Sequence, residues 1–234
     1  MPNGVPRDIP STRVFVSGAT GSGKSHFIRA RIMPRVPRAV YVDFVGEWER
    51  RRAELRGRVA LAYSVHDART RLAELAGVRE WSLIVQIDPS EFAEMARLLV
   101  PPRFTDATPV YARAVGGVAL VCDELDLLAP HNAPPDVLAL WRRGRHVGLS
   151  IYAATQMPSA VHPTVRGMSR YLVLCQMHEV NAINYFRATV PPNVLDRLTG
   201  LPPHEAIVFD AHSRRAWHLN KRARVLWDSA RDAE

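Results

Sequence analysis

The chain has 234 residues, an apolar fraction of 47% and a net charge of +8, which together indicate a globular domain with a substantial core and a preference for phosphate-bearing partners. No apolar run is long enough to span a bilayer and the first ten residues do not resemble a signal peptide, so we expect a soluble, intracellular protein with no membrane segment. The two cysteines, Cys122 and Cys175, lie in apolar strand-like runs, which predicts buried thiols and argues against a disulfide framework.

The predicted elements alternate between strands and helices along most of the chain. After an irregular N-terminal arm at 1–12 they are, in chain order, a strand at 13–18, a helix at 25–33, a strand at 39–44, a short charged helix at 46–58, a helix at 66–77, a strand at 82–88, a helix at 89–100, a strand at 118–124, a helix and turn at 134–148, strands at 149–156 and 170–176, helices at 179–189 and 192–200, and a hairpin formed by 205–210 and 215–220. Residues 221–234 are predicted to form a basic C-terminal tail that orders on a partner. The alternation predicts an α/β fold with a mostly parallel central sheet, helices on both faces and a C-terminal β-hairpin.

A glycine-rich stretch lies between the first predicted strand and the first predicted helix. Residues 18–25 read GATGSGKS and match the pattern G-x-x-x-x-G-K-[ST] at every position. In such a loop, backbone N–H groups face nucleotide phosphates, the lysine reaches the β- and γ-phosphates, and the serine hydroxyl binds Mg²⁺. A chance glycine-rich loop is the alternative, and the flanking strand and helix argue against it. The residues predicted to bind the nucleotide are Gly18, Ala19, Thr20, Gly21, Ser22, Gly23, Lys24, Ser25 and His26, with Lys24 also catalytic and Ser25 also a Mg²⁺ ligand.

Two acids end the most apolar predicted strand, VALVCDE at 118–124. A P-loop site needs a carboxylate on the metal side, so Asp123, which follows five apolar residues, is predicted to bind Mg²⁺. Glu124 is predicted to polarise the attacking water, which favours hydrolysis over phosphoryl transfer to a small acceptor. A solvated loop carboxylate is the alternative for Glu124, and Asp126 is predicted to be a helix cap or a surface residue.

A glutamine and a group of arginines complete the predicted catalytic set. Gln156 ends the strand at 149–156, so it shares a sheet edge with the glycine-rich loop if the strands are parallel, and there it can sense the γ-phosphate or orient water. Three arginines precede that strand, and one of them is a candidate for the arginine that a P-loop ATPase supplies to its neighbour. They are Arg142, Arg143 and Arg145, for which a solvated basic turn is the alternative.

Five segments together resemble the FtsK–HerA superfamily of P-loop motor ATPases. They are GATGSGKS, VYVDFVGEW, VALVCDE, RHVGLSIYAATQMPS and LPPHEAIVF. DFVGEW is similar to the D-x-x-G-E-[YW] segment of HerA-type proteins, and the more specific R-x-x-G…T-Q-x-P-S arrangement is matched by Arg145, Gly148, Thr155, Gln156, Pro158 and Ser159. The resemblance covers the chain from about residue 13 to about residue 210. It implies a RecA-like core in a single ATPase domain at 13–220, and rings of six or five subunits that pull double-stranded DNA through a pore.

The resemblance also assigns roles to individual residues. It implies that Gln156 is the sensor glutamine and that Arg145 is the leading candidate for the arginine finger. Arg142 is a candidate from the same group, and Arg170, before the next strand, is an alternative. ATP is the implied nucleotide, and the sequence contains no guanine-reading N-K-x-D motif.

Within the superfamily, the chain most resembles the genome-packaging ATPases of membrane-containing double-stranded DNA viruses. About a dozen residues precede the first strand, so the N-terminal β-barrel of HerA translocases is not expected, nor are the membrane segments or large added domains of FtsK and the conjugation ATPases. The implied function is ATP-driven packaging of DNA into a preformed capsid, in the host cytoplasm or in association with the virion. A capsid vertex or portal-type protein is a further expected partner.

Basic residues outside these motifs are candidates for DNA contact, although each alone is more often a solvated surface charge. They are Arg50, Arg51, Arg52, Arg56, Arg103, Arg214, Arg215, Lys221, Arg222 and Arg224. Other functions stay open at this point. They are a cellular HerA- or FtsK-like DNA translocase, a phage ATPase that exports single-stranded DNA, a slow nucleotide-dependent switch that binds a protein partner and, least favoured, a small-molecule kinase.

Overall fold

The computed structural model describes residues 13–102, 117–222 and 224–229. Within these residues ten strands form one sheet. In chain order they are β1 Arg13–Ser17, β2 Arg38–Val42, β3 Arg58–Ala62, β4 Trp81–Val85, β5 Val118–Cys122, β6 Leu149–Thr155, β7 Tyr171–Leu174, β8 Ala206–Asp210, β9 Arg215–Leu219 and β10 Val225–Asp228. The predicted arm at 1–12 and the candidate Arg103 lie outside the described residues.

The sheet has a parallel centre and an antiparallel margin. Its strand order is β10-β9-β8-β7-β1-β6-β5-β2-β4-β3. β1 lies between β6 and β7 and is parallel to both, and the parallel pairing continues through β5, β2, β4 and β3. β8, β9 and β10 extend the sheet beyond β7 with antiparallel pairing. This arrangement confirms the predicted α/β fold, and β8 and β9 form the predicted hairpin.

Helices cover both faces of the sheet. They are α1 Lys24–Phe27, α2 Glu47–Arg50, α3 Val65–Leu75, α4 Phe92–Leu99, α5 Leu125–Leu128, α6 Pro135–Arg143, α7 Pro163–Met168, α8 Val180–Phe186 and α9 Pro192–Leu195. After α1 the chain continues as a π-helical segment, Ile28–Ile32, and a 3₁₀ turn, Met33–Arg35, so the helical stretch is longer than predicted. None of the helices in the described ranges is long and apolar enough to cross a lipid bilayer.

Alternate residues of β1 enter two hydrophobic cores, one on each face of the sheet. Phe15 packs into one core, whereas Val14 and Val16 pack into the other. Every residue of β2, β4, β5 and β6 is buried, as expected for parallel strands covered on both faces. Cys122 and Cys175 are buried free thiols, as predicted. The candidate site lies at the ends of these buried strands.

The structure corrects two assignments. β3 begins at Arg58, where the predicted short helix ends, and its first two residues are exposed, so its sequence lacks the apolar pattern of a buried strand. β10 lies inside the residues predicted to form a tail, 221–234, and pairs with β9. Both strands lie at margins of the sheet, where pairing with one neighbour replaces burial on two faces as the stabilising contact. Four residues of the predicted tail, Val225–Asp228, are therefore part of the sheet.

Candidate active site

The carboxyl ends of four adjacent parallel strands meet at one edge of the sheet. The glycine-rich loop follows β1, Asp43 follows β2, Asp123 follows β5 and Gln156 follows β6. Ligands of open α/β sheets bind at this edge. A cavity of about 320 Å³ opens there, and it is lined by Thr20, Gly21, Gly23, Lys24, Ser25, His26, Arg29, Glu47, Asp123, Glu124, Gln156 and His204.

Two glycines let the loop pack against the C-terminal half of the chain. A Cβ atom on Gly18 would lie 2.6 Å from Cβ of Cys175, and one on Gly23 would lie 2.7 Å from Cα of His204. Gly23 also has a φ of 108°, in the left-handed region that side chains disfavour. The His204 N–H donates a hydrogen bond to the Ser22 carbonyl at 2.9 Å. The shape of the loop therefore depends on segments far along the chain.

The Lys24 side chain is turned into the glycine-rich loop. Its Nζ donates hydrogen bonds to the carbonyls of Gly18 and Ala19, each at 2.9 Å, and the residue is only 8% exposed. Burial lowers the pKa of Lys24, while the charges of Asp123 and Glu124 oppose that shift. An ammonium at the centre of the loop suits contact with phosphates, which is the role predicted for it.

Asp123 presents two buried carboxylate oxygens that accept no hydrogen bond from the described residues. Burial, with the charges of Glu124 and Glu47, raises the pKa of Asp123 to about 7, while the nearby Ser25 hydroxyl and Lys24 ammonium oppose the shift. The Ser25 hydroxyl approaches the carboxylate without reaching hydrogen-bond geometry. An unpaired buried carboxylate beside a serine hydroxyl fits Mg²⁺, which binds through hard oxygen ligands and takes others from a nucleotide.

Glu124 lines the cavity directly beside Asp123 and is half-buried. Burial raises the pKa of Glu124, the charges of Glu47 and Asp43 add to this shift, and Lys24 opposes it. A carboxylate with a raised pKa accepts a proton more readily, as a general base requires. Its position argues against the alternative of a solvated loop carboxylate.

Glu47 is a third acid of the cavity, and the sequence predicted no role for it. Asp43 holds Glu47 in position. The two carboxylate oxygens of Asp43 accept hydrogen bonds from the Glu47 N–H at 2.8 Å and the Glu49 N–H at 3.0 Å. Trp48, at 1% exposure, anchors the same turn in the core. The signal was present in DFVGEW, where the acid is the first residue of α2 and follows Gly46 directly.

Gln156 contacts the glycine-rich loop directly. The Thr20 hydroxyl donates a hydrogen bond to Oε1 of Gln156 at 2.5 Å. The glutamine therefore lies at the same sheet edge as the loop, as we predicted for parallel strands. Asp126 lies inside α5 and accepts a hydrogen bond from the Thr155 hydroxyl at 2.5 Å. Asp126 is therefore not the cap of α5, a position that Glu124 holds; it is half-buried and joins the first turn of α5 to the end of β6.

The structure does not bring the arginine candidates to this cavity. Arg142 and Arg145 are exposed and precede β6, at the amino edge of the parallel strands. Arg145 lies near Arg13, the first residue of β1. Burial lowers the pKa of Arg13, and the charge of Arg145 lowers it further. Arg170 lies at the same edge, 3.6 Å from a carboxylate oxygen of Asp210. The length of β1, about 16 Å for five residues, separates this edge from the glycine-rich loop.

Some candidates for DNA contact are engaged within the chain. Arg51 and Arg56 form ion pairs with neighbouring glutamates. Arg215 forms a bidentate ion pair with Asp228, a partner that reduces its availability to DNA. The turn between β9 and β10 carries Lys221, Arg222 and Arg224.

His204 is another cavity residue for which the sequence predicted no role, although it belongs to LPPHEAIVF. Because β8 runs antiparallel to β7, the segment that leads into β8 arrives at the carboxyl edge of the parallel strands. The ring of His204 lies 5.1 Å from the ring of His26. Strand order, which the sequence did not predict, brings this histidine to the cavity.

Several solved structures share the fold of this chain. The genome packaging NTPase B204 of Sulfolobus turreted icosahedral virus 2, in complex with ATPγS, has a TM-score of 0.70 over 89% of this chain and 96% of that chain, at 15% identity. The bacterial conjugative coupling protein TrwB has a TM-score of 0.57 over 90% and 84% of the two chains, at 14% identity. The chain therefore has the fold of RecA-like P-loop NTPases, and its resemblance to the FtsK–HerA type is confirmed at the level of the fold.

One sequence relative comes from a phage. Protein P9 of Pseudoalteromonas phage PM2 is 28% identical to this chain over 163 residues. The match covers 67% of this chain and 65% of that relative, so the chain spans slightly less than two thirds of the relative's length. No protein-family model matches the chain.

Proposed function

We propose that this chain is the ATP-hydrolysing subunit of a motor that moves double-stranded DNA into a preformed viral capsid. The observation that carries the proposal is the meeting of the GATGSGKS loop with Asp123 and Glu124 around one cavity. The fold shared with the genome packaging NTPase B204 supports the packaging role, and the likeness to a phage protein agrees with a viral setting.

The cavity residues divide into binding and catalytic roles. When bound, Mg²⁺–ATP supplies the phosphoanhydride that is cleaved and a cation that neutralises charge on the phosphates. Residues 18–26 hold the phosphates, and Ser25 and Asp123 hold the metal. Glu124 accepts a proton from water, a task for which its raised pKa suits it, and Gln156 orients that water.

The arginines act on a neighbouring subunit. Arg145 and Arg142 lie at the sheet edge opposite the cavity, so neither reaches the site of its own chain. A head-to-tail arrangement would bring the amino edge of one subunit to the carboxyl edge of the next, and such an interface closes into a ring. In this ring of six or five subunits, Arg145 is the leading candidate to stabilise charge on the transferred phosphoryl group.

The motor holds DNA through its backbone phosphates. The basic turn between β9 and β10 and the exposed Arg52 after α2 are the candidate contacts, and they carry no base-reading pattern. Binding is then independent of sequence, and its affinity falls steeply as salt is added.

The test is the rate of ATP hydrolysis with and without long duplex DNA, for the wild type and for Glu124→Gln. We expect duplex DNA to raise the turnover of the wild type, and Glu124→Gln to lower it about 100-fold or more, because the general base is lost while the shape of the side chain is kept. Glu74→Gln, on the exposed surface of α3, is the matched control and is expected to keep wild-type turnover.

Two outcomes would contradict parts of the proposal. Undiminished turnover in Glu124→Gln would show that another group activates water. Turnover that duplex DNA leaves unchanged would favour the slow nucleotide-dependent switch over the motor.

A further inference from the structure

Two imidazoles lie at the end of the cavity away from the acids. The charges that act on His26 are those of His204, Arg29 and Arg31, whereas the charges that act on Asp123 are those of Glu124, Glu47 and Lys24. We infer from these surroundings that the cavity has an acidic end, where the groups assigned to water and metal lie, and an imidazole end formed by His26 and His204.

The two rings form an edge-to-face pair. Their centroids are 5.1 Å apart and their planes are inclined by 70°. His26 is half-buried, but His204 is exposed and therefore accessible to a ligand. Rings of this kind offer a π-face on which a flat heterocycle can stack.

The glycine-rich loop itself holds His204 in place. The His204 N–H donates to the Ser22 carbonyl at 2.9 Å, and its Cα packs against Gly23. Its φ of 66° is uncommon for a residue with a side chain, and such backbones persist where neighbouring contacts impose them, often beside ligands. A ligand in the loop therefore meets His204 in a fixed position.

The acidic and imidazole ends of the cavity indicate how a bound nucleotide is oriented in it. This step rests on the proposed function. Lys24 and Glu124 lie where the β- and γ-phosphates belong, so the α-phosphate and the nucleoside leave the loop at the opposite end. The base then emerges beside His26 and His204.

We propose that His26 and His204 form the base-binding part of the site and select a purine nucleotide by stacking its bicyclic ring on the imidazole of His204. Stacking contacts the face of a base and scales with the area of overlap. A purine therefore binds more tightly than a pyrimidine, while ATP and GTP, which have similar faces, bind alike.

The test is the binding of ATP, GTP, CTP and tripolyphosphate, each with Mg²⁺, to the full chain. We expect the wild type to bind ATP and GTP with similar affinity and CTP more weakly. His204→Asn removes the aromatic face but tolerates the left-handed backbone, and it should weaken ATP and GTP about five- to a hundredfold, with less effect on CTP. His204→Phe keeps an aromatic face and should keep the purine preference.

Tripolyphosphate separates this inference from the function on which it rests. It carries no base, so its affinity should be the same in the wild type, in His204→Asn and in His66→Ala, an exposed control on α3. If tripolyphosphate binds all three but the ratio of ATP to CTP affinity is unchanged in His204→Asn, the stacking proposal is wrong and the phosphate site stands. Failure of tripolyphosphate to bind the wild type would overturn both.

Discussion

At the scale of single residues, Asp123 shows how the site depends on something outside the protein. A buried carboxylate without a hydrogen-bond donor destabilises the fold unless a cation neutralises it. Both oxygens of Asp123 are in this condition among the described residues, and the pKa of about 7 reports the same unfavourable environment. A residue that weakens the empty protein and suits a metal is what a binding site requires.

Replacing Asp123 by asparagine should stabilise the metal-free protein at high pH. The folded-state pKa is raised from 3.8 to about 7, so folding disfavours the ionised form, and stability that is complete below pH 4 is lost as the pH rises through 7. Asp123→Asn removes this dependence and should raise the free energy of unfolding at pH 8 by up to about 4 kcal/mol relative to the wild type. Urea denaturation with a chelator at pH 5 and pH 8 measures the difference.

The exposed Asp196 supplies the control for that experiment. Asp196→Asn should leave the free energy of unfolding within about 0.5 kcal/mol of the wild type at both pH values. A gain in Asp123→Asn that is equal at pH 5 and pH 8 would argue against burial of its charge as the cause.

Gly23→Ala should disable the nucleotide loop. The new Cβ would meet Cα of His204 at 2.7 Å on a backbone with a φ of 108°, which costs about 1–3 kcal/mol unless the loop moves. We expect a lower melting temperature and weaker binding of ATP, measured by calorimetry. Gly200→Ala is the control, since its Cβ would meet nothing within 4 Å and its backbone is not left-handed. Wild-type affinity in Gly23→Ala would show that the loop tolerates a side chain there.

Residues whose position in the cavity follows from local sequence were predictable, and residues placed there by the fold were not. Lys24 and Asp123 follow strands with a clear apolar pattern, so their spacing from those strands was enough to propose a role. Glu47 and His204 reach the cavity because β2 lies beside β5 and β8 runs back along β7. No local pattern in the sequence contains that information.

At the scale of elements, one ion pair joins β10 to β9 in addition to their backbone pairing. Asp228 is 5% exposed and accepts a hydrogen bond from Nε of Arg215 at 2.8 Å, across the pairing of β9 with β10. Asp228→Ala should lower the free energy of unfolding by about 1–3 kcal/mol, because it leaves the guanidinium without its partner. Glu74→Ala breaks an exposed pair with Arg71 and should cost less than about 0.5 kcal/mol. Equal losses in the two variants would show that the pair of Arg215 with Asp228 contributes no more than an exposed ion pair does.

The elements that could be predicted are those that carry their own signal. β1 and β5 are continuous apolar runs bounded by turns, which is typical of strands buried on two faces. β3 and β10 are short and partly exposed, and they are strands because a neighbour supplies hydrogen bonds. Their assignment requires the partner strand, which lies elsewhere in the chain.

At the scale of the whole molecule, the two edges of the parallel sheet differ in chemistry. The carboxyl edge carries the acids and the glycine-rich loop, and the amino edge carries Arg142 and Arg145. If a neighbour completes each site, two variants with different defects should rescue one another. Arg145→Ala and Glu124→Gln should each be inactive alone. A mixture should regain ATPase activity at those interfaces where an Arg145→Ala subunit supplies Glu124 and a Glu124→Gln subunit supplies Arg145. The measurement is turnover against mixing ratio.

A mixture of Glu124→Gln with Lys24→Ala is the control, because both changes lie in the same site and no interface becomes complete. Recovery of ATPase activity in this control mixture would show that the activity does not depend on a site shared between two subunits. Absence of recovery with Arg145→Ala, in a mixture shown to co-assemble, would exclude Arg145 as the arginine supplied by a neighbour.

The position of β1 between β6 and β7 sets the order in which the chain can acquire its site during synthesis. β1 and the loop after it leave the ribosome before the other strands, but their neighbours in the sheet, β6 and β7, are made only after β2 to β5 have been translated. Until then the apolar strand has unpaired edges, and pairing between such distant segments is slow and open to aggregation. We therefore expect nascent chains that stop before β7 to be held by chaperones and to be unable to retain a nucleotide.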